Sequence, residues 1–242
     1  MHTRSKVQAL ATPHGRGFFM VLAATALGAS LAAGTPAVVS ASDAFPLTVM
    51  DDEGTEVTIE ALPQRIISLT PAATETLYAL GAGDRLVGGT DSDDYPPEAA
   101  AATDVATFTG VIMEQVVALE PDLVLAGGND LTKPDEIATM RDLGLPVVVL
   151  YAPDVATVMA DIELIGQAVG ATDEAADIVA GMRSDFDAIA VQVAAVESRP
   201  RTFYELGAEP EIYAPAPKSF LADMVVLAGG EPITTGDPAA WT

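Results

Sequence analysis

At 242 residues the chain can hold one large domain or two small ones, and it carries 35 acidic against 11 basic residues, a net charge of −24. So acidic a surface repels phosphate backbones and anionic headgroups, which excludes nucleic acid as a partner. Cysteine is absent, so disulfides, thiolate metal sites, a cysteine nucleophile and the lipid-bearing cysteine of a lipoprotein are excluded too.

Residues 1–41 have the pattern of a signal peptide: a basic start with Arg4, Lys6 and Arg16, an apolar stretch from Phe18 to Leu31, then small residues ending at Val39-Ser40-Ala41. Cleavage there removes three basic residues and no acid, and leaves a net charge near −27. It also removes His2 and His14, the two histidines of the chain. A mature protein without His or Cys cannot run a Ser-His-Asp mechanism and is poorly equipped to capture zinc or manganese.

Phe45 to Glu60 alternates around Asp52-Glu53-Gly54 as a hairpin does. The stretch from Arg65 to Pro97, RIISLTPAATETLYALGAGDRLVGGTDSDDYPP, organises the rest of the chain. Ile66–Leu69 reads as a buried strand, Thr70 as a helix N-cap and Pro71 as the first helical residue. Leu77, Tyr78 and Leu80 give the helix its apolar face, and Gly81 ends it. Leu86–Gly89 then reads as a second strand, completing a β-α-β unit with a parallel sheet. Its acidic loop has Asp91, Asp93 and Asp94, which lack the glycine and closing glutamate of a calcium loop and are read as solvated.

Met113–Leu119 is expected as a short helix, Asp122–Ala126 as a strand, and Pro134 as the opening of a helix with Ile137, Met140 and Leu143 facing inward. Pro146–Tyr151 is a fourth strand, so 45–152 reads as one complete α/β lobe. Asp154 caps a helix running to Gly170, and Thr172 to about Val196 reads as a long helix of roughly 37 Å. Thr202–Leu206 begins a second sheet, followed by the helix Phe220–Ala228. One strand and one helix cannot bury a second core, so the expectation is a C-terminally truncated sequence, with 199–242 the start of another lobe.

The 65–97 stretch, followed by MEQVVALEPDLVLAGG, resembles the substrate-binding proteins of ABC importers, in the group that takes cobalamin, iron-siderophores or haem. The SDDYPP loop and the residues from Glu114 to Val124 are most similar to the cobalamin-binding member. The resemblance implies two Rossmann-like α/β lobes joined by one long rigid helix, here the one from Thr172 to about Val196 within the helical region 153–198, and a monomeric periplasmic protein. The leader predicts export, and the lack of cysteine a protein that is not a lipoprotein. Its transported ligand is cargo; no resident cofactor and no metal site of its own are implied. The partner is a membrane permease dimer, with Glu114 matching a glutamate that pairs with permease arginines.

A flat ligand held between lobes calls for aromatic faces at the carboxyl ends of the strands. Aromatics are 5% of the chain, so Tyr95, Phe108, Tyr213 and Trp241 in candidate cleft loops stand out, beside the turn at Thr70 and Pro71. The resemblance matches Tyr95 and Trp241 to cleft aromatics, and places Phe108 where haem binders have an iron-ligating tyrosine. Phenylalanine has no donor atom for iron. Gly127 falls where the cobalamin-binding member has a tryptophan. These residues order the ligands as a corrinoid first, a ferric siderophore second and haem third. The rival from another class is a secreted hydrolase with paired carboxylates.

Overall fold

The computed structural model describes residues 44–209, 211–217 and 219–234. The expected leader, 1–41, and Trp241 lie outside them.

Strands β1 (Leu47–Met50) and β2 (Glu56–Ile59) form the expected antiparallel hairpin, with Leu47 opposite Ile59 and Val49 opposite Val57. Asp51 builds its turn: one carboxylate oxygen accepts the Glu53 and Thr55 amides, at 3.1 and 2.8 Å, and Gly54 takes φ +78° to close it. The other oxygen reaches Arg141 at 2.7 Å and the Val149 amide at 3.3 Å, which ties the hairpin to the main sheet.

That sheet has six strands, β3 (Ile66–Ser68), β4 (Leu86–Thr90), β5 (Thr103–Thr107), β6 (Gly110–Val111), β7 (Leu123–Gly127) and β8 (Val147–Leu150). Their order is β6-β5-β4-β3-β7-β8, parallel throughout except for the β5–β6 pair. Parallel neighbours need crossovers. These are α1 (Pro71–Ala79), a 3-10 turn (Pro97–Ala101), α2 (Met113–Ala118) and α3 (Pro134–Asp142). The crossovers cover both faces, so β3, β7 and β8 are buried along their whole length.

Successive strand residues point to opposite faces, and the core divides accordingly. Leu123 and Leu125 join Ile66, Leu77, Val148 and the β1–β2 hairpin on one face, with Ile165 and Val169. Val124 and Ala126 join Ile67, Val105, Val116, Ile137, Met140 and Val149 on the other. Each fully buried Leu or Ile contributes about 1.5–3 kcal/mol. Leu143, expected to face inward, is 54% exposed, because it caps α3 instead of lying within it.

Helix α4 (Val155–Val169) begins as the sequence suggests, with Asp154 accepting the Thr157 amide at 2.8 Å, and Gly170 ends it at φ +72°. Helix α5 (Thr172–Ala194) packs on α4, with Ala175 buried in the cluster of Ile165 and Val169 and Ile178 half-buried against it; Ala175 and Val179 are its two buried residues. Past Gly181 it is largely exposed, and Met182, Phe186 and Val193 are only half-buried. At 23 residues it is about 35 Å long.

Beyond it, β9 (Arg201–Thr202), α6 (Phe220–Leu227) and β10 (Glu231–Pro232) make a second β-α-β unit with parallel strands. The strand expected over Thr202–Leu206 is shorter than that. From Phe203 the chain leaves the sheet, and Leu206 and Gly207 bond with Tyr213 as an antiparallel bridge. The β5–β6 hairpin was not foreseen either. Its strand TDVAT is half-exposed, with a charge near its start, and gives no continuous apolar run.

Candidate functional site

In an open parallel sheet, ligands bind beyond the carboxyl ends of the strands, where the strand order reverses. Here the reversal lies at β3, whose crossovers lead to β4 on one side while β7 lies on the other. Five loops open at this end, after β3, β4, β5, β7 and β8.

After β3, the Thr70 hydroxyl accepts the Ala73 amide at 3.3 Å and Pro71 is the first residue of α1, as the sequence suggests. The Ser68 hydroxyl, fully buried, donates to the Thr70 carbonyl at 3.0 Å and fixes the turn from below. Gly127, at the end of β7, packs directly against it. A Cβ at 127 would stand 2.7 Å from the Thr70 methyl and 2.8 Å from Leu131, so no side chain fits.

After β4, the acidic loop is not simply solvated, which corrects the reading of its three aspartates. Asp93 is 7% exposed and accepts three hydrogen bonds, from the Thr74 hydroxyl at 2.8 Å, the Thr90 amide at 2.9 Å and the Thr90 hydroxyl at 2.7 Å. Thr74 lies on α1 and is fully buried. The carboxylate thus clamps the loop to the helix, and Tyr95, two residues on, is presented to solvent at 64% exposure. After β5, Phe108 sits at the tip of the β5–β6 turn with its ring wholly exposed, at 103%. Since β4 and β5 are neighbours, these two aromatic side chains stand on adjacent loops.

After β7 and β8, a cavity of about 260 Å³ opens between Thr70, Leu131, Tyr151, Asp161 and the α4 residues Val158 and Ile162. Asp161 gives it a polar wall. Its Oδ1 is buried and has no hydrogen-bond partner among the described residues. Burial, then repulsion by and hydrogen bonding with Asp52, pushes its carboxyl up to about 7. Asp52 in turn accepts the Tyr151 amide. Larger cavities lie elsewhere. One of about 530 Å³ opens at the amino ends of the strands, beside Arg141 and Pro146. It has no aromatic lining and sits at the wrong end of the sheet for the topological rule.

The structure therefore places Thr70, Pro71, Tyr95 and Phe108 at one end of one sheet. Tyr213 lies in the second β-α-β unit, half-buried, and Glu114 is exposed in the first turn of α2. Leu131, Tyr151 and Asp161 were not singled out from sequence. The first two follow the carboxyl ends of β7 and β8, a signal that becomes readable once the strand order is known. Among the described residues no cluster of three or more metal-ligating side chains occurs, and no helix is long and apolar enough to cross a membrane.

A family model described as periplasmic binding protein matches residues 66–241. The chain belongs to the periplasmic binding protein family. Among related proteins, YvrC of Bacillus subtilis, named an ABC transporter substrate-binding lipoprotein, is 35% identical over 188 residues, covering 76% of this chain and 60% of its own. A vitamin B12-binding protein of Yersinia pestis is 30% identical over 180 residues, covering 74% of this chain and 62% of its own. The chain thus spans about 60% of the length of these relatives. The crystal structure of the periplasmic vitamin B12-binding protein BtuF of Vibrio cholerae superposes with a TM-score of 0.67 at 28% identity, covering 75% of this periplasmic binding protein and 70% of BtuF.

Proposed function

We propose that this periplasmic binding protein captures a corrinoid outside the cytoplasm and delivers it to an ABC permease. The observation that carries the reading is the pair of exposed aromatic rings, Tyr95 and Phe108, on adjacent loops at the carboxyl ends of β4 and β5. Such faces suit a flat, partly apolar ligand, since they bury much area at little entropic cost. Thr70, Pro71, Leu131 and Tyr151 would line the other side of the same opening. The B12-binding names of two relatives support a corrinoid; a ferric siderophore is the second reading, because Gly127 leaves no room for the tryptophan that the resemblance implies there.

In this reading, 45–152 is one lobe, 199–242 contributes Tyr213 and Trp241 from a second, and the helical region 153–198 joins them. Glu114 docks on the permease. The protein is monomeric and soluble after cleavage at residue 41; unlike the lipoprotein of Bacillus subtilis, these 242 residues include no cysteine to carry a lipid.

Calorimetric titration of the full chain with cyanocobalamin, then with ferric siderophores, tests this. One-to-one binding of cyanocobalamin without turnover is expected, weakened by about 1–2 kcal/mol in Phe108→Ala and in Tyr95→Ala, as for aromatic contacts at a binding surface. Binding of a siderophore alone would remove the corrinoid. Binding of neither would overturn the reading.

A further inference from the structure

Phe108 packs on nothing, so only the backbone beneath it can orient its ring. That backbone is weak by itself. Strand β4 holds β5 on its other side, and the Thr107 hydroxyl accepts the Thr109 amide at 3.2 Å. But β6 is the edge strand and shares only two residue pairs with β5, Ala106 with Val111 and Thr107 with Gly110, too few to hold it firmly. A second element supplies what the hairpin lacks. Lys133, which immediately precedes α3, donates from Nζ to the Thr109 carbonyl at 2.7 Å. Glu136, in the first turn of α3, accepts the Val111 amide at 3.2 Å and Lys133 Nζ at 3.2 Å, both on Oε1.

The two side chains thus close a ring around the turn, holding one residue on each side of Gly110. Gly110 has φ +135°, and a Cβ there would stand 2.4 Å from Glu136 Oε1 and 2.7 Å from Lys133 Nζ. The close fit depends on glycine on both counts, conformation and space. The Lys133–Glu136 pair is half in solvent, with side-chain exposures of 53% and 17%, and exposed ion pairs add little to global stability. Its effect is local.

We propose that Lys133 and Glu136 are positioning residues: they lock the Phe108 turn in a single geometry before the ligand arrives. This rests on the reading of Phe108 as a ligand contact. Ordering a loop on binding subtracts from affinity, so a turn already ordered binds better.

The test uses the isotope-labelled full chain with Glu136→Ala, Lys133→Met and the conservative Glu136→Gln, whose amide oxygen can still accept both donors. Exchange of the Val111 amide should rise about tenfold in Glu136→Ala, the loss of one hydrogen bond to a charged group, while the Val124 amide in the core stays unchanged. Backbone order at Phe108 and Thr109 should fall in both disruptive variants. Affinity for cyanocobalamin should fall about fivefold with the melting temperature held, and Glu136→Gln should restore both readouts. Unchanged exchange at Val111, or faster exchange with full affinity, would overturn the proposal. Should the unmodified chain bind neither cyanocobalamin nor a siderophore, the ligand reading fails. Backbone order at Phe108 then decides alone, equal mobility in all variants counting against the clamp and loosening confined to the disruptive ones counting for it.

Discussion

Replacing Asp93 by alanine should destabilise the protein far more than loss of a loop carboxylate usually does. Its side chain is 7% exposed and accepts three hydrogen bonds of 2.7–2.9 Å. Bonds to a charged acceptor are worth about 1.5–3 kcal/mol each, but they do not add, and the Thr90 donors sit nearer to solvent. The Thr74 hydroxyl cannot recover. It is fully buried, and losing its partner alone costs about 1–3 kcal/mol. The sum is a loss of about 3–4 kcal/mol. Relief of charge repulsion acts the other way on a chain of net charge −24. A unit pair 8 Å apart in water repels by about 0.5 kcal/mol before salt screening, too little to offset the loss. For a protein of this size the melting temperature should drop by about 10 °C. Urea unfolding of Asp93→Ala, Thr74→Val and the double variant measures it. The double variant should cost less than the two singles together, since removing the hydroxyl removes the stranded donor. A cost below about 1 kcal/mol for Asp93→Ala would show a carboxylate that water already serves, and would refute the clamp.

Two further predictions concern buried carboxylates. The Asp51 side chain is fully buried and pairs with Arg141 at 2.7 Å, so Arg141→Met should cost about 3 kcal/mol in urea unfolding. That is the low end for breaking a buried pair, because three backbone amides still serve Asp51; a variant as stable as its parent would sink the argument. Asp161 titrates near 7 in the folded chain against 3.8 ordinarily, so the folded state keeps a proton that the unfolded state releases. The stability this proton supplies is complete below about pH 4 and is lost as pH rises through about 7. Asparagine needs no proton, so the melting temperature of Asp161→Asn relative to the parent should climb between pH 5 and pH 8; a constant difference would contradict the assignment.

Much of the fold is legible in the sequence because its signals are local. Thr70-Pro71 opens α1, Asp154 opens α4, Gly54 turns the first hairpin, and the apolar runs at Ile66, Leu123 and Val147 mark the buried strands. What sequence does not yield is long-range. Asp93 meets Thr74 only because α1 packs beside β4, and nothing in SDDYPP distinguishes Asp93 from its solvated neighbours. Asp52 and Asp161 are 109 positions apart and meet only through the turn of the β1–β2 hairpin and α4. Leu131 and Tyr151 become candidates only when β7 and β8 are known to lie beside β3. Strand β5 escapes notice because half-burial leaves it little apolar pattern to show.

The packing at Gly127 bears on how such a protein can change its cargo. With the Thr70 methyl and Leu131 within 2.8 Å of any Cβ there, position 127 is shut to substitution one residue at a time. A bulky ring could enter only together with a smaller residue at 70 and a displaced 127–131 loop, and a change at Thr70 also gives up the cap of α1. Tyr95 and Phe108 carry no such linkage, each standing clear of the core on its own loop. On the proposed reading, substitutions at the rim can therefore be made singly, while the floor of the opening changes only when neighbouring residues change with it.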